Sequence, residues 1–300
     1  MLIEKGNLKI ASYFYQEKPD LAEIEAADIV SFKYQVEGGV YIPENIAWFG
    51  DLTGITQAED YILSKRGRKS LKKAQEYFQE AGFELNVREM DETLFAEFKK
   101  LYENTTMRKE RAIIYDLETS ILGRIKVGKK CYIAGLYKKD ILRSGLVFSI
   151  NEASAVVSFG AKERFSKIRG GVGAILEYQL IKYALDRKLK SISHGRATNP
   201  AGLFNTAGLF EFKARYGFTA FPAGRWQSLF IKNDQIALGD LLFITIDNNK
   251  LTYLVVSDDD LSNLEKKYRT REIKHIIKID KRSFYLKQKN DLEEVVKSLN

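Results

Sequence analysis

The sequence predicts an α+β protein: a mixed, mostly antiparallel sheet flanked by helices, followed by a small C-terminal α/β extension. Three observations carry this. Residues 130–161 hold three apolar-rich runs joined by Lys138-Lys139-Asp140 and Asn151-Glu152, connections short enough for hairpins. A glycine cluster, Gly170-Gly171-Val172-Gly173, then opens a long apolar helical stretch that feeds a short strand at Ser191, the length of connection that returns a chain beside its sheet. From Ala237 onward the texture changes to a small hairpin-and-helix pattern. The expected organisation is an N-terminal extension over 1–44, a main domain over 45–236 and a C-terminal subdomain over 237–300.

Element by element, the stretch up to Pro43 has no clear period. Thr56 and Glu59 form a T-x-x-E capping box, which predicts a helix start, with Gly67 interrupting it. Leu71, Ala74, Phe78 and Ala81 recur at helical spacing and Gly82 ends that helix,. Phe83, Leu85 and Val87 alternate as in a half-buried strand,. Asp91 caps a helix striped by Leu94, Phe98, Leu101 and Tyr102, and a shorter helix spans 113–122,. The three meander runs are Lys130–Tyr137, Ile141–Ile150 and Ala153–Ala161. The Val172–Leu189 helix and the Ser191–His194 strand follow, then a loop at Asn199-Pro200 and a helix over Ala207–Tyr216 closed by Gly217,. Phe218–Ile231 reads as strand interrupted by Pro222 and Gly224,. The tail reads as a hairpin around Asp247-Asn248-Asn249, a short helix after Asp258-Asp259-Asp260, a strand pair within Ile273–Leu286 and a helix from Asp291,.

Bulk properties narrow the function. A hydrophobic fraction of 45% spread along 300 residues supports a packed globule,. The single Cys131 excludes an intramolecular disulfide, and with two histidines it argues against structural zinc,. There is no apolar run of membrane-spanning length, and Met1 to Asp20 mixes charges with aromatics unlike a signal peptide, so a cytoplasmic protein without a membrane span is expected. The net charge of +8 suits phosphate-bearing partners, or simply a solvated surface. Lys65, Arg66, Arg68, Lys69, Lys72 and Lys73 crowd one helical segment. They read as a patch for a carrier protein or RNA, or as a solvated helix face. The absence of interleaved aromatics argues against stacked single-stranded RNA.

The glycine cluster reads as a place where the backbone approaches something closely, or as a tight turn that glycines permit. A Walker A loop is excluded, because Gly173 is followed by Ala174 and Ile175 instead of Lys and Ser or Thr,. A dinucleotide fingerprint fits poorly: position 176 is leucine, and the following strand reaches His194 without a ribose-binding acid,. An antiparallel meander, a glycine turn, a helix and a strand, in that order, resemble the core of the GNAT superfamily of N-acyltransferases. There the motif R/Q-x-x-G-x-G/A holds the pyrophosphate of coenzyme A on backbone amides. Gly171-Val172-Gly173 matches its glycine half, while the Arg/Gln position falls on Ile168 between Lys167 and Arg169. "SKRGRKSLKKAQEYFQEAGFELNV" (64–87) and "HGRATNPAGLFNTAGLFEFKARYGF" (194–218) further resemble the Fem-type aminoacyltransferases and their GNAT-fold relatives, through Arg68, Lys73-Ala74 and Gly82, and through Phe212-Lys213 and Gly217-Phe218. The resemblance spans roughly 45–231. Fem-type enzymes proper carry two such domains, so peptidoglycan as acceptor does not follow.

The resemblance implies an enzyme that moves an acyl group to an amine-bearing acceptor. The donor is a thioester on acyl-CoA or on an acyl carrier protein, a co-substrate and not a tightly bound cofactor. An aminoacyl-tRNA donor and a non-catalytic GNAT-like binding module are the alternatives. It implies a donor site at Lys167, Arg169, Gly170, Gly171, Gly173 and Ala174. Catalysis falls to His194 as base, Lys213 at the transfer site and Tyr216 as acid, with Arg196 and Phe212 binding substrate. The Ala153–Ala161 run contains no acid, only Glu152 and Glu163 beside it, so the usual glutamate base is missing or displaced.

Overall fold

A computed structural model describes the chain except residues 6–7, 63–64, 109–113, 166–170, 204–206, 233, 238, 248–249, 269–274 and 300. In chain order the elements begin with β1 (Leu2–Lys5), β2 (Leu8–Tyr13), α1 (Leu21–Ala26), β3 (Ile29–Phe32), β4 (Val40–Asp51), α2 (Ala58–Tyr61), α3 (Lys65–Glu80) and β5 (Glu84–Glu89). Next come α4 (Glu92–Thr106), a π-helical turn (Glu118–Leu122), α5 (Gly123–Lys126), β6 (Cys131–Lys138), β7 (Ile141–Asn151), β8 (Ser154–Lys162), α6 (Gly171–Asp186) and β9 (Ser191–Thr198). The chain closes with α7 (Ala207–Arg215), β10 (Thr219–Ile231), β11 (Leu241–Asp247), β12 (Lys250–Val256), α8 (Leu261–Tyr268), β13 (Ile276–Ile279) and α9 (Lys281–Leu299). No helix among the described residues is long and apolar enough to cross a membrane.

These elements form two compact units: Met1–Ala47 with Arg196–Ala214 and Thr219–Asn300, and Trp48–Gly195 with Arg215–Phe218. Both chain ends contribute strands and helices to the first unit.

The second unit is helix on sheet on helix. Its strands run in the order β9-β8-β7-β6-β5, antiparallel from β5 to β8 and parallel between β8 and β9. The meander is as expected. Lys139 and Asp140 take φ +52° and +61° between β6 and β7, the paired positive dihedrals of a tight hairpin turn. Alternation sorts the side chains to two cores. Cys131, Ile133, Tyr137 and Val147 join Phe95, Phe98 and Tyr102 of α4 on one face. Leu136 and Leu146 join Ala74 and Phe78 of α3 and Val172, Ile175 and Leu176 of α6 on the other. Asp91 caps α4 as expected, accepting from the Leu94 N–H at 2.8 Å.

Four local expectations change. The helix near Thr56 starts at Ala58 with Gln57 as its cap and without a side-chain capping bond, so the Thr56/Glu59 box does not form. Gly67 does not break α3, because its helix buries Leu71, Ala74 and Phe78 on the sheet and tertiary packing outweighs one glycine's cost of about 1 kcal/mol. The short helix expected at 113–122 is the π-turn followed by α5; residue 113 lies outside the described residues. Lys281–Leu286 is the start of α9, not a strand: Phe284 packs on Phe243 at 5.7 Å between ring centroids.

The first unit contains strands in the order β1-β2-β3-β10-β4 and a separate sheet β11-β12-β13. β10 runs unbroken through Pro222 and Gly224. Gly224 takes φ +83° there, which glycine adopts at little cost. One sheet face carries Ala11, Val30, Phe32 and Phe230 against Ile24 of α1 and Leu292 of α9. The other carries Ile29, Leu229 and Ile231 against Leu241 and Phe243 of β11.

Tyr137 offers a stability test. Its ring is fully buried beneath the Arg88 guanidinium, 4.0 Å from the ring centroid, and among the described residues its hydroxyl has no hydrogen-bond partner. Burial pushes its pKa from 10.0 up to about 12. The neutral phenol therefore contributes stability below pH 10, and that contribution is lost as pH climbs toward 12. Tyr137→Phe keeps the ring contact and removes an unsatisfied polar atom. The expected result is unchanged or raised stability at pH 7. Between pH 10 and 12 the variant should lose less than the parent by up to about 2–3 kcal/mol, read by urea unfolding at several pH values. A variant destabilised by more than about 1 kcal/mol at pH 7 would show that the hydroxyl has a partner after all.

Candidate active site

α6 begins at the glycine cluster and runs through an almost unbroken apolar stretch. Val172, Ala174, Ile175, Leu176, Leu180 and Ile181 are all buried. Its first turn contains no acid. The first amide groups of a helix have no acceptor within it and carry a partial positive charge, so such a turn attracts anions. Six residues after Gly171 stands Glu177, the one acidic side chain in the buried part of this helix and only 2% exposed. It lies one turn below Gly173, about 6 Å along the axis. A buried carboxylate needs a partner, and β9 supplies it.

β8 and β9 pair in parallel at Ser154↔Ser191, Ala155↔Ile192 and Val156↔Ser193, and the ladder ends there. Both strands turn at this level. On β8 the register against β7 shifts between Val147 and Phe148, leaving Ser158 as the extra residue of a bulge, which bends and twists its strand. On β9, Gly195 takes φ +65°, a left-handed conformation that glycine adopts readily. His194 is thus the first β9 residue past the last rung. It does not end the strand, which continues to Thr198.

His194 Nε2 lies 2.9 Å from Glu177 Oε2, and both side chains are almost wholly buried. A carboxylate can only accept, so Nε2 carries the proton in this contact, and in the neutral ring Nδ1 keeps its lone pair. The imidazole edge packs on Phe218, with centroids 4.4 Å apart. Phe218 meets Tyr61 edge-on, and the Tyr61 hydroxyl donates to the Gly217 carbonyl at 3.0 Å. Orientation and tautomer of the imidazole are therefore both set by neighbours, an arrangement suited to accepting and returning a proton.

The order of elements matches the core that the sequence resembles. The fold is GNAT-like. No family model and no curated protein matches the sequence. Similarity appears among solved structures. FemX is 14% identical with a TM-score of 0.47, over 69% of this chain and 67% of its own. L-PGS from Bacillus licheniformis is 14% identical with a TM-score of 0.42, over 78% and 80%. A tandem GNAT protein from the clavulanic acid biosynthesis pathway is 14% identical with a TM-score of 0.38, over 70% and 65%.

In this GNAT-like chain the expected site residues are distributed as follows. Gly171, Gly173 and Ala174 form the buried first turn of α6; Lys167, Arg169 and Gly170 lie outside the described residues. Tyr216 belongs to the same unit as His194. It is buried with its hydroxyl 3.5 Å from the Gly67 carbonyl, and burial pushes its pKa up to about 12, so it stays protonated at neutral pH. Lys213, Phe212 and Arg196 belong to the other unit. Lys213 is buried on α7; Phe212 is half-buried and Arg196 exposed. Glu163 is taken by Arg143, whose Nε and Nη2 each donate to it at 2.5 Å. β8 itself has no acid, as expected. The residue that sequence reasoning missed is Glu177, and its signal was an acid set among the apolar residues of the first half of α6.

Proposed function

We propose that the protein is an N-acyltransferase that moves an acyl group from a thioester, on coenzyme A or an acyl carrier protein, to an amine. The observation that carries this reading is the buried Glu177–His194 pair at the end of the β8–β9 ladder, one turn from the glycine start of α6. In this reading His194 Nδ1 takes a proton from the attacking amine. The nitrogen bonds to the carbonyl carbon, the carbon–sulfur bond breaks, and the proton returns to the departing thiolate. Glu177 stabilises the imidazolium formed in between. The α6 N-terminus holds donor phosphate.

A carrier-bound donor is favoured by α3, where Lys65, Arg68, Lys69, Lys72 and Lys73 are all exposed. The same cations suit the acceptor stem of an aminoacyl-tRNA, the second reading. Turnover assayed with acetyl-CoA, acyl carrier protein thioesters and aminoacyl-tRNA separates them, and no turnover with any donor supports a non-catalytic binding module. Charge reversal at Lys69, Lys72 and Lys73 should slow association with a polyanionic donor by about 10-fold or more at low salt and flatten its salt dependence. Turnover of a carrier-bound donor indifferent to both changes would assign α3 to solubility alone.

A further inference from the structure

The first unit contains a cavity of about 250 Å³ on the sheet face that looks toward β11. Its walls follow from strand register. Ile10 pairs with Ile29, Ser12 with Ser31, and Ser31 with Leu229, so successive rungs on this face go from apolar to polar. Lys33 and Gln227 lie just past the last β3–β10 rung, Ser228↔Phe32, and Glu44 and Asn45 of β4 line the cavity with them.

The polar end is ordered and incompletely used. Gln227 Oε1 accepts from Ser31 Oγ at 2.7 Å and from Lys33 Nζ at 2.8 Å, and Lys33 Nζ also pairs with Glu44 Oε1 at 2.9 Å. An ammonium only donates, so the Gln227 oxygen must face Lys33 and its NH₂ group points away from it. Among the described residues nothing accepts from that NH₂ and nothing pairs with Ser12 Oγ, although Gln227 is 94% and Ser12 92% buried by their exposures of 6% and 8%. Neither atom is among the wholly enclosed polar atoms without a partner, so both remain open to a partner in the cavity. The Asn199 side chain stiffens the wall, donating to the Pro43 and Ile244 carbonyls at 2.9 and 3.0 Å and accepting from the Ile244 N–H at 3.2 Å.

We infer that this cavity binds a small zwitterion with a short apolar tail, of the α-amino-acid type. The volume is small beside drug-sized or nucleotide sites, which run from about 300 to 1,000 Å³, and suits a small ligand,. One cation beside one anion makes the site net neutral, and a ligand of net charge would be buried without compensation. A carboxylate finds donors in the Gln227 NH₂, Ser12 and Lys33, an ammonium finds Glu44, and the tail meets Ile10, Ile29 and Leu229. The inference does not rest on acyl transfer, and its test reads binding alone.

The test is calorimetry on the full chain with L-leucine, 4-methylpentanoate and isoamylamine as probes. Leucine should bind at least about tenfold more tightly than either monofunctional probe, since each lacks one charge-assisted contact. Gln227→Leu should weaken leucine by about tenfold and Ser12→Ala by about threefold; should Gln227→Leu not fold, Ser12→Ala and the probe ranking decide. Equal affinity for the three probes, no binding of leucine at about 10 mM, or wild-type affinity in the folded variants overturns the assignment.

Discussion

In the proposed reaction Glu177→Gln is expected to lower turnover by about 10²–10⁴-fold, the usual contribution of a positioned proton-transfer group, and to leave the fold intact. The amide oxygen can still accept from His194, so the imidazole keeps its partner, but a neutral amide cannot stabilise an imidazolium. His194→Gln should match it in turnover. The double variant should be little worse than either single one, because the two side chains act as one unit. Steady-state kinetics with the preferred donor, alongside thermal unfolding, checks this. A Glu177→Gln enzyme within about threefold of wild type would remove the pair from catalysis. Glu177→Leu, by contrast, should cost about 1–3 kcal/mol, by leaving a fully buried imidazole nitrogen unpaired.

Gly217→Ala should be the most destabilising single-methyl change in the second unit. Gly217 closes α7 at φ +85°, and a Cβ there would lie 2.6 Å from the Tyr61 carbonyl oxygen, a backbone atom with no rotamer to yield. Left-handed strain and overpacking together cost about 2–6 kcal/mol. The neighbouring Phe218 ring supports His194, so turnover should fall along with stability. The expected result is a melting temperature lower by about 5 °C or more; a shift under about 1 °C would mean the turn accommodates a side chain freely.

The meander, the Asp91 cap and α6 were legible in the sequence because each depends on neighbours within a few residues: alternation, a capping side chain, a helical stripe. The N-terminal strands were not, because β3 finds its partner at Ser228–Ile231, about two hundred positions away, and nothing local marks that pairing. Phe284 and Leu286 look like strand alternation by themselves; docking of Phe284 on Phe243 decides for helix. The candidate site divides the same way. His194 stood out as one of two histidines. Glu177 became meaningful only when β9 returned beside α6 and brought residues seventeen apart to 2.9 Å.

Because Gly173 and Glu177 share one uninterrupted helix, their separation is a matter of count. The helix acts as a ruler graduated at about 1.5 Å and 100° per residue. Exchanging Ala174 or Ile175 for other helix formers would leave the carboxylate in phase with the glycine turn. Inserting a single residue between them would swing Glu177 about 100° around the axis and away from His194. The phase between glycine turn and carboxylate depends on the length of this segment and not on which helix formers fill it.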